Sequence, residues 1–464
     1  MTLHVTLIFV QQTAPHNKGR STMSATGGIT RRGFLKGTGC MAAGMAVFPQ
    51  IVRASVLGRG GARAPSERIV MGCIGTGGMG RADMNALLGS PDAQILAVCD
   101  VKPEARNAAR DLVNTRQGNQ DCAVYEHFWD LVARDDIDAV LVASNDHWHV
   151  LHALAAVRSG KDVYVEKPMG VSIEQVQTLR EAVHRHGRVF QFGTQQRSSQ
   201  EFRHACELVR NKRIGKLVHI DVGVHSGSAE RTGLKRYDPE PIPEGFDYDL
   251  WLGPAPVAPY IKQRTINPHW FHISDYSLGY VSGWGIHHID IAQWGHGTDE
   301  TGPVEIDGSA LFPTDDAICD NPLWWDVNCL YGDGVTMHFT GAGPGLDGVR
   351  QGITFKGTDG WVWVNRGAIE AEPKSLLTET FGPDEIRLPV SEQHQQNFLN
   401  AVRTRTQPIA HIDTASRSDI VCQLAWIAFK LQRKLRWDPV QERFINDDAA
   451  NGLLKRAMRG PWRL

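Results

Sequence analysis

The apolar run Ile69–Ile74 leads without a break into Gly75-Thr76-Gly77-Gly78-Met79-Gly80. This succession leaves few folds open. Gly75 permits a tight turn, Gly77 lets the backbone approach a ligand, and Gly80 lets a following helix pack closely on the strand. The free N–H groups at the start of that helix suit a pyrophosphate. G-x-G-x-x-G has meaning only between a strand and a helix, and both are predicted here, with the helix near Arg81–Leu88. Asp100 closes the next apolar run, Ile95–Cys99, twenty residues beyond Gly80. A carboxylate there accepts hydrogen bonds from a ribose 2′-hydroxyl and repels a 2′-phosphate, so the pattern predicts NAD over NADP. Gly75, Thr76, Gly77, Gly78, Met79, Gly80 and Asp100 are therefore assigned to the cofactor.

Further apolar runs at Ala139–Ala143, Asp162–Val165 and Val189–Phe192 read as buried parallel strands. Helical stretches near Pro103–Asn114, His149–Arg158 and Ile173–His186 separate them. The β-α repetition predicts a doubly wound Rossmann domain over 67–193. Beyond it the texture changes. Alternating segments at Leu217–His225, Val304–Leu311, Trp325–Tyr331, Val335–Thr340, Gly352–Phe355 and Trp361–Val364 follow with few helices between them. They predict an α/β domain over 194–464 with a large, mostly antiparallel, open-faced sheet. Helical periodicity returns at Glu392–Arg403 and Ser416–Leu435.

The chain has 464 residues, enough for two domains. No acidic residue precedes Glu67, and residues 1–54 hold six basic residues, Lys18, Arg20, Arg31, Arg32, Lys36 and Arg53. The remainder carries 43 basic against 51 acidic residues, a net charge of −8. Such a body does not attract nucleic acid or anionic lipid through its overall field. No apolar run reaches the ~18–20 residues that a membrane span needs. Within residues 1–54, Arg31-Arg32-Gly33-Phe34-Leu35-Lys36 precedes a weakly apolar stretch, Cys40–Phe48, and then Val52-Arg53-Ala54. Paired arginines, a short apolar core and a small-x-small end predict a twin-arginine export signal and a periplasmic mature chain starting near Ser55. Residues 55–66 read as a linker. The eight cysteines include no C-x-x-C pair, which predicts neither a disulfide scaffold nor structural zinc.

The fourth strand is followed by Ser144-Asn145-Asp146-His147-Trp148-His149 and the fifth by Glu166-Lys167-Pro168. Lys167 thus falls at the carboxyl end of a strand, where open sheets bind ligands, and can exchange a proton with a reacting hydroxyl. No carboxylate or cysteine completes a metal set with the histidines at 147–152. A strand running into Glu-Lys-Pro, downstream of an N-terminal dinucleotide fold, resembles the glucose-fructose oxidoreductase / inositol dehydrogenase family, also called Gfo/Idh/MocA. Met458-Arg459-Gly460-Pro461-Trp462 resembles the tail of its exported members.

The resemblance implies a cis Lys167–Pro168 bond, contacts from Ser144, Asn145, His149 and Glu166 to the dinucleotide, and Arg197 near the substrate. Gly283-Trp284-Gly285-Ile286-His287 resembles the family's Asp-x-Gly-x-His motif, with Gly283 where an Asp is usual. Lys167 and His287 are the expected acid/base pair, with Asp275 or Asp290 as a substitute carboxylate. Trp270, Asp275 and Tyr276 are expected to meet a sugar-like substrate, since aromatic faces stack on C–H faces while polar groups bond hydroxyls. The uncovered face of the second sheet implies a homo-oligomer, a dimer or tetramer.

The expected activity is NAD-dependent hydride transfer at a CH–OH group. The alternatives are a glycosidase or lyase that oxidises its sugar transiently, and a catalytically silent NAD-binding protein.

Overall fold

The computed structural model describes residues 67–225, 236–313, 318–342 and 349–464. The arginine pair, the cleavage site, Cys40 and the linker lie outside these residues.

The first sheet has six parallel strands in the order β3-β2-β1-β4-β5-β6. They are β1 (Ile69–Ile74), β2 (Ala93–Cys99), β3 (Ala123–Tyr125), β4 (Ala139–Val142), β5 (Asp162–Val165) and β6 (Phe190–Phe192). Strand β4 is buried at every residue, as a central strand covered by helices on both faces must be. Helix α1 (Gly78–Leu88) follows β1, and α2 (Asp146–Arg158) follows β4. After β5 comes α3 (Ile173–His186), whose Ser172 cap accepts from the Gln175 N–H and whose C-cap, Gly187, is left-handed.

The second sheet has nine strands and is mixed. Its members are β7 (Leu217–His225), β8 (Pro303–Leu311), β9 (Trp324–Tyr331), β10 (Thr336–Ala342), β11 (Gly352–Gly357), β12 (Trp361–Asn365), β13 (Ala368–Glu372), β14 (Leu435–Asp438) and β15 (Arg443–Phe444). Only β7 and β10 pair in parallel. Helix α4 (Gly285–His296) carries Ile286, Ile289 and Ile291 into the core it shares with this sheet.

Two features differ from the sequence reading. Helix α5 (His394–Thr404) returns to the first sheet, where Phe398 and Leu399 pack with Ile69 and Met71. Helix α6 (Ile412–Leu431) stops short of Leu435, because Gln432 turns left-handed and Leu435 opens β14. All seven described cysteines are free and buried. No helix among the described residues is long and apolar enough to cross a membrane.

Candidate active site

A cavity of about 630 Å³ opens at the carboxyl ends of β1, β2, β4 and β5. At one end is the glycine turn. Gly75 has φ +83°, and a Cβ on it would lie 2.3 Å from the Ser144 backbone nitrogen. A Cβ on Gly80 would meet the Gly75 carbonyl at 2.1 Å. Nothing stands within 4 Å of Cβ positions on Gly77 and Gly78, and both line the cavity with Met79. No side chain caps the start of α1, so its first-turn N–H groups remain available to a phosphate. This open cradle fits a dinucleotide.

Thr76 plays a different part from the one assigned to it. It is fully buried, and both its N–H (2.8 Å) and its hydroxyl (3.2 Å) donate to Asp100 Oδ2. Asp100 Oδ1 accepts from the Lys102 N–H at 2.9 Å. Thr76 therefore aims the carboxylate, and Asp100 itself lines the cavity.

At the other end, Lys167 follows β5 with a cis bond to Pro168, and its Nζ donates to the Gly283 carbonyl at 3.1 Å. Glu166 is buried on the same wall, with Oε1 accepting from Gln195 Nε2 at 3.3 Å. Burial raises its pKa, and Asp83 behind it is raised well above the usual carboxylate range by burial and then by the Glu166 charge. The two carboxyl groups thus favour sharing one proton.

His287 is buried, and its Nδ1 has no hydrogen-bond partner. Burial, then the charges of Lys167 and Arg366, hold it well below the usual imidazole value. It sits against the Trp284 ring with centroids 5.7 Å apart, and Trp284 forms the cavity wall. Lys167 and His287 therefore share an electrostatic neighbourhood without a hydrogen bond between them.

His149 lines the cavity, but its nitrogens face the carbonyls of Pro168 (2.6 Å) and Ser144 (2.8 Å). It ties the loop after β4 to the loop after β5 and is better described as a positioning residue than as a cofactor ligand. Ser144 and Asn145 lie on the cavity wall.

Three substrate assignments are corrected. Arg197 is 2% exposed, donates to Asp290 at 2.7 and 2.8 Å and to Asp299 at 2.7 Å, and is absorbed into the core. Asp290 is thereby committed too, and also accepts from Ser418. Asp275 is exposed and lies off the cavity wall. Tyr276 is fully buried, packed edge-on to Trp251 with centroids 4.9 Å apart. Trp270 does line the cavity.

The departure at Gly283 has a steric cause. A Cβ there would lie 2.1 Å from two ring carbons of Phe271, so the aromatic ring occupies the space of the usual side chain. A carboxyl group comes instead from Asp146, at the start of α2. Asp146 is 3% exposed, lines the cavity, leaves Oδ2 without a partner, and is pushed up to about 7 chiefly by burial. The sequence signal was its place beside Ser144 and Asn145, directly after a strand end.

Together these features define a dinucleotide-binding protein with a titratable catalytic end. Residues 69–194 match the model described as "Oxidoreductase family, NAD-binding Rossmann fold". Residues 199–464 match "Oxidoreductase family, C-terminal alpha/beta domain". The chain belongs to the Gfo/Idh/MocA oxidoreductase family, and NAD is its cofactor class.

A glycosyl hydrolase family 109 protein of Saccharopolyspora erythraea is 38% identical over 117 residues, 24% of this chain and 25% of that protein. An inositol 2-dehydrogenase/D-chiro-inositol 3-dehydrogenase of Halalkalibacterium halodurans is 39% identical over 131 residues, 27% of this chain and 35% of that one. The matches thus span well under half the length of these relatives. The scyllo-inositol dehydrogenase of Lactobacillus casei, solved with NAD(H) and scyllo-inositol, superposes with TM-score 0.55 at 19% identity, covering 80% of this chain and 99% of that one. The likeness shows the shared fold.

Proposed function

We propose that this protein is an NAD-dependent oxidoreductase acting on a CH–OH group of a sugar, cyclitol or glycoside, or on the matching ketone. One observation carries the reading: the Lys167 ammonium lies on the wall of the cavity that begins at the Gly75 turn. When bound, NAD supplies the hydride acceptor. The glycine turn and the start of α1 hold its phosphates, and Asp100 holds a ribose. Lys167 as the free amine would take the proton of an alcohol, or as the ammonium give one to a ketone oxygen, and Asp146, half-ionised near neutrality, would serve as the neighbouring acid/base group. Relatives named inositol dehydrogenases support a polyol substrate.

The second reading is a redox-neutral glycosidase, supported by relatives named glycosyl hydrolase family 109. Incubating the protein and NAD with a panel of cyclitols, sugars and aryl glycosides separates the two. Accumulating NADH supports the oxidoreductase. Glycoside cleavage without NADH supports the glycosidase. NAD binding with neither overturns both, leaving a silent NAD-binding protein.

The arginine pair supports twin-arginine export to the periplasm, and the exposed residues alternating along β8 support a homo-oligomer. Mature protein outside the cytoplasm after replacing both arginines with lysine would refute the first. A monomer by light scattering would refute the second.

A further inference from the structure

Strands β12 and β13 are joined by the turn Asn365-Arg366-Gly367, with Gly367 at φ +70°. The turn holds the Arg366 guanidinium 4.6 Å from the centre of the Trp284 ring. Trp284 lines the cavity and follows Gly283, whose carbonyl accepts from Lys167. With its amide turned to suit its neighbours, Gln196 accepts from Arg366 Nε at 3.3 Å and donates to the His287 carbonyl at 2.6 Å. Arg366 therefore stands behind the cavity-lining Trp284 ring, on an exposed turn.

Among the described residues no carboxylate forms an ion pair with Arg366, whereas Arg350, just before β11, pairs with Glu370 at 2.9 Å. Glu166 is near enough to favour the Arg366 charge, but its carboxyl group favours sharing a proton with Asp83. Trp284 Nε1 and His287 Nδ1, close by, are buried without partners. A guanidinium and an indole N–H can only donate. Position 283, beside Trp284, presents no carboxylate, and burial raises the Asp146 and Glu166 carboxyl groups of the same cavity toward their neutral forms. A stacked cation outside any ion pair and an indole N–H without an acceptor converge beside the cavity that Lys167 lines.

We propose that Arg366, stacked on Trp284, forms an anion-reading subsite, so that the substrate is a sugar bearing a carboxylate or a phosphate ester. The proposal rests on the reading of the cavity as a sugar site, and it names the substrate class.

The test is calorimetric titration of the full-length, NAD-loaded protein with matched probes in the gluco and galacto series: the uronate, the 6-phosphate and the neutral sugar, with inorganic phosphate alone. In at least one series an anionic sugar should bind about tenfold or more tightly than its neutral match, as one charged hydrogen bond allows. Arg366→Gln should abolish that preference, Arg366→Lys should keep part of it, and NAD affinity should not change in either. A tighter uronate identifies a carboxylate reader, and a tighter 6-phosphate a phosphate reader. Equal affinities, no binding of any anionic sugar, or a preference that survives Arg366→Gln overturns the proposal. So does inorganic phosphate binding as tightly as the sugar phosphates. Binding needs no turnover. A preference without NADH formation on any sugar would therefore remove the oxidoreductase reading and leave the subsite standing.

Discussion

Lys167 and Gly283, 116 residues apart, meet through a 3.1 Å hydrogen bond from ammonium to carbonyl. One stands at the end of a parallel strand and the other just before α4. The contact holds the Lys167 ammonium between the two sheets' domains, on the cavity wall.

Replacing Lys167 with Met should leave NAD binding intact, because the glycine turn and Asp100 are untouched. Turnover should fall by ~10²–10⁴-fold, the usual worth of a positioned acid/base group. Steady-state kinetics with a parallel NAD titration decides this, and near-normal turnover would remove Lys167 from the mechanism.

Gly283→Asp tests the steric account of that position. The new side chain must displace the Phe271 ring, so stability should drop by about 1–3 kcal/mol, the usual range for overpacking. Adding Phe271→Ala should recover part of the loss. Urea unfolding of the two single variants and the double variant measures the coupling. Additive losses would mean that Phe271 does not hold the space.

Asp146 links stability to pH. Its folded pKa of about 7 lies above the ordinary 3.8, so the unfolded chain releases this proton first. Stability therefore falls as pH rises between those values and levels off above the higher one. Asp146→Asn removes that loss. Its advantage over the parent protein should grow by up to about 2–3 kcal/mol from about pH 5 to pH 7, then stay flat, at about 1.4 kcal/mol per unit. Unfolding curves across that range check the slope. A constant difference would place Asp146 in a water-like setting.

Asp100→Ser should weaken NAD by roughly tenfold or more and narrow the gap to NADP, through loss of a charged hydrogen bond. The carboxylate already serves Thr76 and Lys102 but keeps further lone pairs for a ribose. Fluorescence titration with both dinucleotides measures the ratio. Equal binding of NAD and NADP by the parent protein would refute the assignment.

Arg197→Met should act on stability and not on substrate affinity. It leaves the Asp290 carboxylate buried and uncompensated, a change that typically costs 3–5 kcal/mol. A selective rise in KM with unchanged unfolding would return Arg197 to the substrate.

The first sheet and its cofactor turn were legible because their determinants are local. Gly75, Gly77 and Gly80 act within six residues on the backbone they belong to, and buried parallel strands write their burial as unbroken apolar runs. Lys167 was legible for a similar reason, since the end of a strand is already the edge of a crevice. The substrate wall was not. Trp270, Phe271 and Tyr276 lie in a stretch of short turns with no helical or strand period, so spacing could not say that the first two face the cavity and the third the core. The roles of Arg197 and Arg366 were equally hidden. Both are arginines, yet one finds a buried carboxylate on α4 and a half-buried one beyond it, while the other finds a tryptophan face. Sequence determines which charges and rings are present. Only the long-range packing of helices and hairpins decides which of them meet a counter-charge and which are left for a ligand, because burial and pairing depend on neighbours a hundred residues away.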